Sequence, residues 1–302
     1  MKSMNPAASF ASCAPAVPAP VGGFRSRSVR SAILCVGLFL VQGLALAQIS
    51  PESAETLLRK SGAWTQLADM SRHVKAGMAQ SPMRMQLPPS EIARLERLSD
   101  EAFEAGSVRA AAMQRLSAKM DNAHTREALR WFDSPTGRMI TAVEEASTVA
   151  TTDLNATLEE GNRILAAAPE ARKVLLSRAV KVSRMAEGMA AMQINTAVGI
   201  FQGLAAALPD QPMPPLDQLR AGLESQRATM VASMGGVGLA LYANTYKSVS
   251  DKDLDLYVRF MASRAGSAYT LAMMEAIDHA MTTAFRTLGR NIPRSKTAPI
   301  GS

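Results

Sequence analysis

Glu275 and His279 stand four residues apart, with Asp278 beside His279. On a helix that spacing puts the carboxylate and the imidazole on one face. Two or three such groups can hold a zinc-like ion, provided another element supplies the rest of the shell. The plainer use of the same residues is an exposed helix face with a favourable Glu-to-His⁺ contact. The helical zinc-hydrolase pattern His-Glu-x-x-His is missing from the 302 residues. His73 and His124 have no partner nearby in sequence and read as surface residues. Glu275 and His279 are therefore the metal candidates, and the sequence assigns no catalytic residue and no cofactor.

Glu144-Glu145 and Glu159-Glu160 offer paired acids. General acid–base chemistry needs carboxylates held in different environments, and adjacent helical residues point apart. Both pairs are expected to be solvated faces. Gly235-Gly236-Val237-Gly238 resembles half of a nucleotide loop, but it lacks a preceding strand, a Walker lysine and the third Rossmann glycine. No Gly-x-Ser-x-Gly elbow occurs. Methionine is the unusual residue, with 17 of the 19 beyond residue 47. Met fills irregular cores and also builds adaptable binding surfaces. Core filling is the first expectation and a binding groove the second.

The elements that position these residues follow from charge and pattern. The chain carries 33 Lys and Arg against 26 Asp and Glu, a net of +7. Residues 1–47 hold Lys2, Arg25, Arg27 and Arg30 and no acid; residues 286–302 hold Arg286, Arg290, Arg294 and Lys296 and no acid. The body between them has 25 basic and 26 acidic groups and is nearly neutral. Both cysteines, Cys13 and Cys35, lie in the first 47 residues. A neutral, cysteine-free body argues against a thiol enzyme, a zinc–cysteine site, a disulfide scaffold and a basic nucleic-acid groove.

Three arginines precede an apolar run over residues 31–47 that ends in Ala45-Leu46-Ala47. Basic flank, short apolar core and small-x-small exit make a secretory signal peptide. Cleavage is expected after Ala47, which places the remaining chain in the periplasm or outside the cell. The competing reading is a retained anchor, although the run is at the short limit for a span.

Beyond residue 47 good helix formers abound and no stretch alternates as a strand would. Ser50-Pro51-Glu52 is a helix start, and Gly62 ends that helix before Trp64. Helices are also expected to begin near Ser90 and near Gly106. Pro169 introduces one long amphipathic stretch through Leu175, Val182, Met185, Met189 and Met192. Four prolines between Pro209 and Pro215 mark a loop. Residues 188–209 and 228–246 carry no charge. Polar residues and glycines interrupt both, so they read as central packed helices rather than a membrane hairpin. Gly199 and Gly203 suit close helix approach.

Residues 125–145 align with 254–274 at an offset of 129. Trp131 falls opposite Phe260, Ser134 opposite Ser263 and Gly137 opposite Gly266, with Phe132 opposite Met261. Each copy reads helix, tight break at Ser-x-x-Gly, helix, a repeat signal in one chain. Trp131-Phe132-Asp133-Ser134-Pro135-Thr136-Gly137 resembles the aromatic-aromatic-x-Ser-Pro-x-Gly signature of the domain-of-unknown-function 2059 family. The resemblance covers residues 120–150, with an echo at 250–280 where Arg264 replaces Pro135. It implies a secreted, mostly helical bacterial protein and supplies no activity or catalytic residue.

The expected fold is an all-α helical bundle built from two related helical halves. The boundaries read 1–47 for the signal peptide, 48–168 and 169–290 for the halves, and 291–302 for a disordered basic tail. The expected function is a non-enzymatic cell-envelope module that binds a protein or peptide through an apolar helical groove. Alternatives are a hydrolase or metal-dependent enzyme with an unrecognised site, and a peripheral membrane protein. Arg286, Arg290, Arg294 and Lys296 are expected to offer a weak anionic-surface contact, and no nucleic-acid partner is expected.

Overall fold

Ser50 opens the first helix as its sequence suggests, its Oγ accepting from the Ser53 amide at 3.2 Å. The structure is a computed structural model that describes residues 48–80, 87–150, 153–208 and 213–292. The leader, most of the proline loop, and the tail with Arg294 and Lys296 lie outside the described residues. Helices α1 (Pro51–Lys60), α2 (Ala63–Ala68) and α3 (Met70–Gln80) are followed by α4 (Pro89–Ala102) and α5 (Ala105–Lys119). Then come α6 (Asn122–Phe132), α7 (Pro135–Ala150), α8 (Leu154–Ala167), α9 (Glu170–Ser183) and α10 (Met185–Ala207). The last four are α11 (Leu216–Ser225), α12 (Arg227–Thr245), α13 (Asp251–Ala262) and α14 (Arg264–Asn291). Among the described residues the fold is all helix, apart from one isolated backbone pairing of Gln48 with Asp121.

The starts are set by side chains that satisfy orphan amides. Asp121 accepts from the Ala123 and His124 amides at 2.9 Å, and Asp153 caps α8 in the same way. Glu104 rather than a hydroxyl opens α5, accepting from Gly106 and Ser107, so that helix begins just before Gly106. The stretch after Pro169 is not one helix. Arg184 adopts a left-handed backbone (φ 52°) that separates α9 from α10. Periodicity runs across that break without marking it, because apolar spacing is blind to a single residue's backbone.

Two cores form. The first joins Leu57, Leu58, Phe103 and Leu116 to the part of α14 from Ala272 to Leu288. The second joins Ile140 to Leu176, Tyr246, Leu254 and Val258. Both draw on residues from either side of residue 168. Helix α14 crosses α10 where Gly199 and Gly203 lie against the backbone of Thr282 and Arg286. That is the close approach expected of the small-residue pair. No helix of the described residues is long and apolar enough to cross a membrane.

The two helix breaks are built alike. Ser134 Oγ accepts from the Gly137 amide at 3.0 Å, and Ser263 Oγ accepts from the Gly266 amide at 3.1 Å. A methyl at Gly137 would fall on the Trp131 carbonyl oxygen, and one at Gly266 on the Phe260 carbonyl oxygen. Trp131 and Phe260, the matched aromatics, stack on each other at 4.7 Å with planes 9° apart. Ser263→Ala removes one cap and is expected to cost about 1 kcal/mol. Thermal unfolding followed by circular dichroism should fall by about 2–4 °C, the scale for a body of this size. An unchanged midpoint would mean the cap is redundant.

Candidate functional site

The chain has four tyrosines, Tyr242, Tyr246, Tyr257 and Tyr269, and all of them gather around one carboxylate, Glu144. Helix α7 carries Glu144 one turn beyond the buried Ile140, on the face turned toward α12. Helix α12 presents Tyr242 from its last turn and Tyr246 from the residue that caps its C-terminus, their rings edge to face at 5.1 Å. Tyr257 on α13 lies 5.7 Å from Tyr246, and its other neighbour is Trp131 at 6.5 Å. The aromatic stack between the two helix breaks thus supports one side of the site.

Tyr246 Oη donates to Glu144 Oε1 at 2.5 Å, and the nearby Tyr257 hydroxyl also favours the ionised carboxyl. Burial pushes the Glu144 carboxyl up to about 7, against the pull of those two hydroxyls and with help from the adjacent Glu145 charge. Burial likewise raises Tyr242 to about 12 and Tyr246 and Tyr257 well above their ordinary range. The phenols therefore stay protonated as donors, while the carboxyl changes charge near neutrality.

Glu144 looks into a cavity of about 500 Å³, within the usual range for small-molecule sites. Thr148, Thr270, Met273 and Ile277 continue its wall, and exposed Leu154 lies at its outer end. His73 on α3 also lines it. Burial, then the neighbouring Arg72 charge, lowers the His73 imidazole below its ordinary value, so it is neutral at pH 7. Among the described residues of the lining Glu144 is the one carboxylate, and none is lysine or arginine.

This corrects the expectation of a solvated Glu144-Glu145 face. The two side chains do point apart, but only Glu145 turns away, packing over Gly62 between α1 and α2. Glu144 falls on the apolar stripe of α7, four residues after Ile140, and that register was the available sequence signal. His73 likewise belongs to the cavity rather than to the open surface. Glu159 is exposed and Glu160 grips Arg163 through both oxygens, as a solvated pair should.

The metal candidates do not come together with a third ligand. Glu275 accepts from Arg115 at 2.7 Å and Lys119 at 2.8 Å, both on α5. Asp278 accepts from Asn195 on α10, and His279 is exposed. Among the described residues no group of three or more His, Cys, Asp or Glu is placed to hold a metal ion. Gly235 and Gly236 sit inside α12 facing open space, with no cradle around them. Phe132 packs edge to face on Phe260 and Tyr269 and belongs to the first core, with Trp131 packed against it. Arg286 donates to Gln202, and Arg290 to Thr287. Comparison of the chain with protein families, with curated proteins and with solved structures finds no match.

Proposed function

We propose that the protein is an exported cell-envelope module that binds, without turnover, a segment of a peptide or protein in the cavity beside Glu144. The observation that carries this reading is the concave, mostly apolar cavity with a few convergent polar groups at one end. The expected apolar groove on the surface has less support. The exposed large apolar side chains, Leu154, Val174, Leu256 and Leu271, are spread over four helices. Export is supported by the basic, then apolar, then Ala45-Leu46-Ala47 leader. The matched geometry at Ser134 and Ser263 supports reading the two helix breaks as copies of one unit. The resemblance of Trp131 to Gly137 to the secreted helical family agrees with both.

The uncharged environment-sensitive dye prodan tests the cavity. Its emission should shift to the blue on binding at a single site, and Thr148→Trp, which fills the wall, should abolish the shift while leaving the melting midpoint near that of the parent. A shift that survives Thr148→Trp would place the dye elsewhere and defeat the reading. A second reading is an acid–base enzyme, favoured by one observation: a carboxyl at about 7 is suited to proton transfer at neutral pH. A captured ligand released chemically altered would favour the enzyme; one released unchanged favours the binding module.

A further inference from the structure

The charge inventory of the cavity narrows what it binds. Among the described residues its lining offers one carboxylate and no lysine or arginine, so an anionic ligand would meet like charge and no counter-charge there. Tyr246 occupies one acceptor position of a carboxylate that has about four, with the Tyr257 hydroxyl nearby, leaving room for further donors. Tyrosine rings present faces that attract cations, most strongly where water is excluded. Met261, Met273 and Met274 supply a polarisable wall that adapts to an apolar body. The titratable groups whose charge or hydroxyl acts on Glu144 are Glu145 on its own helix, whose side chain turns away, Tyr242 on α12 and Tyr246 at its C-terminal end, Tyr257 on α13 and Tyr269 on α14. Across the cavity stands His73 on α3. None of these described groups is a cation at neutral pH, which leaves the counter-charge of an ionised Glu144 to a ligand.

We propose that the cavity recognises a protonated amine carried on an apolar body, seating the ammonium against the Glu144 carboxylate among the tyrosine rings. This rests on the binding-module reading and adds the class of ligand. A lysine side chain within a peptide and a free alkyl- or arylalkylamine share this chemistry. On binding, the ammonium keeps its protons and donates hydrogen bonds. A protonated Glu144 releases its proton to solvent, so affinity should weaken as pH falls below neutrality.

Three probes of matched shape test the charge: phenylbutylamine, phenylbutanol and phenylbutyrate, titrated calorimetrically into the full chain and into Glu144→Gln. The expected order at pH 8 is amine tightest and carboxylate weakest. Glu144→Gln should weaken the amine at least tenfold and leave the alcohol within about twofold, a contrast that misfolding would not produce. An alcohol that binds as tightly as the amine, or an amine indifferent to Glu144→Gln, overturns the ligand class but leaves the cavity reading standing. If prodan binds and none of the three does, the same division holds; if prodan fails as well, both readings fall. An acetylated, amidated tripeptide with lysine between two phenylalanines separates the sources. Tighter binding than phenylbutylamine assigns a peptide, looser binding assigns a free amine, and either result supports the amine.

Discussion

Glu144→Gln is expected to melt about 6–12 °C above the parent protein at pH 8, and level with it near pH 4. The sign follows from linkage. Glu144 titrates at about 7 in the folded chain, up from 4.5. A raised acid binds its proton more tightly in the folded state than in the unfolded state. Its contribution is therefore full below the unfolded value and is lost as pH rises through about 7. That gap corresponds to about 3 kcal/mol. Glutamine has no charge to desolvate, and its carbonyl can still accept from Tyr246, so the variant should show no such decline. A parent protein whose stability is flat between pH 4 and 8, or a variant that melts lower at pH 8, would refute the assignment of Glu144 as a buried acid. If the amine proposal holds, the same substitution gains stability and loses ligand, as expected where a site is maintained against the stability of the fold.

Gly266→Ala should be among the most damaging single methyl additions in the body. The obstacle is the Phe260 carbonyl oxygen, which is backbone and cannot rotate aside. The helix break must open, and the Ser263 cap and the Phe260 ring move with it. Overpacking of this kind costs about 1–3 kcal/mol and sometimes more, and the upper end is expected here. Gly137→Ala meets the Trp131 carbonyl in the same way. The pair should be non-additive, because the two breaks touch through the Trp131–Phe260 stack. Gly236→Ala is the control. It faces open space within α12 and should stabilise by roughly 0.5–1 kcal/mol through helix propensity alone. Equal denaturation midpoints for Gly266→Ala and Gly236→Ala would remove the steric argument.

What was legible beforehand sorts by range. The helix start at Ser50, the stop at Gly62 and the breaks at Ser134 and Ser263 are local devices, readable from neighbouring residues, and the structure has each of them. The break at Arg184 was hidden because its left-handed backbone carries no glycine or proline to announce it. The site was hidden for a different reason. Tyr246 and Glu144 are 102 residues apart, and nothing local says which way Glu144 points. Adjacent acids suggest solvent, whereas the register after Ile140 suggests the interior. Packing decided for the interior because the Tyr246 and Tyr257 hydroxyls were there to receive the carboxyl.

The stack of Trp131 on Phe260 also governs when the chain can finish folding. Its two members are separated by 129 residues, and neither helix break can bury its aromatic face until the other has formed. A chain emerging from its amino-terminal end therefore carries an open hydrophobic seam at Trp131 until Phe260 arrives. The first core waits longer still, since it closes on α14. Contacts this distant slow folding. A polypeptide whose first core closes only on α14 cannot complete its fold until the last of its described helices has docked.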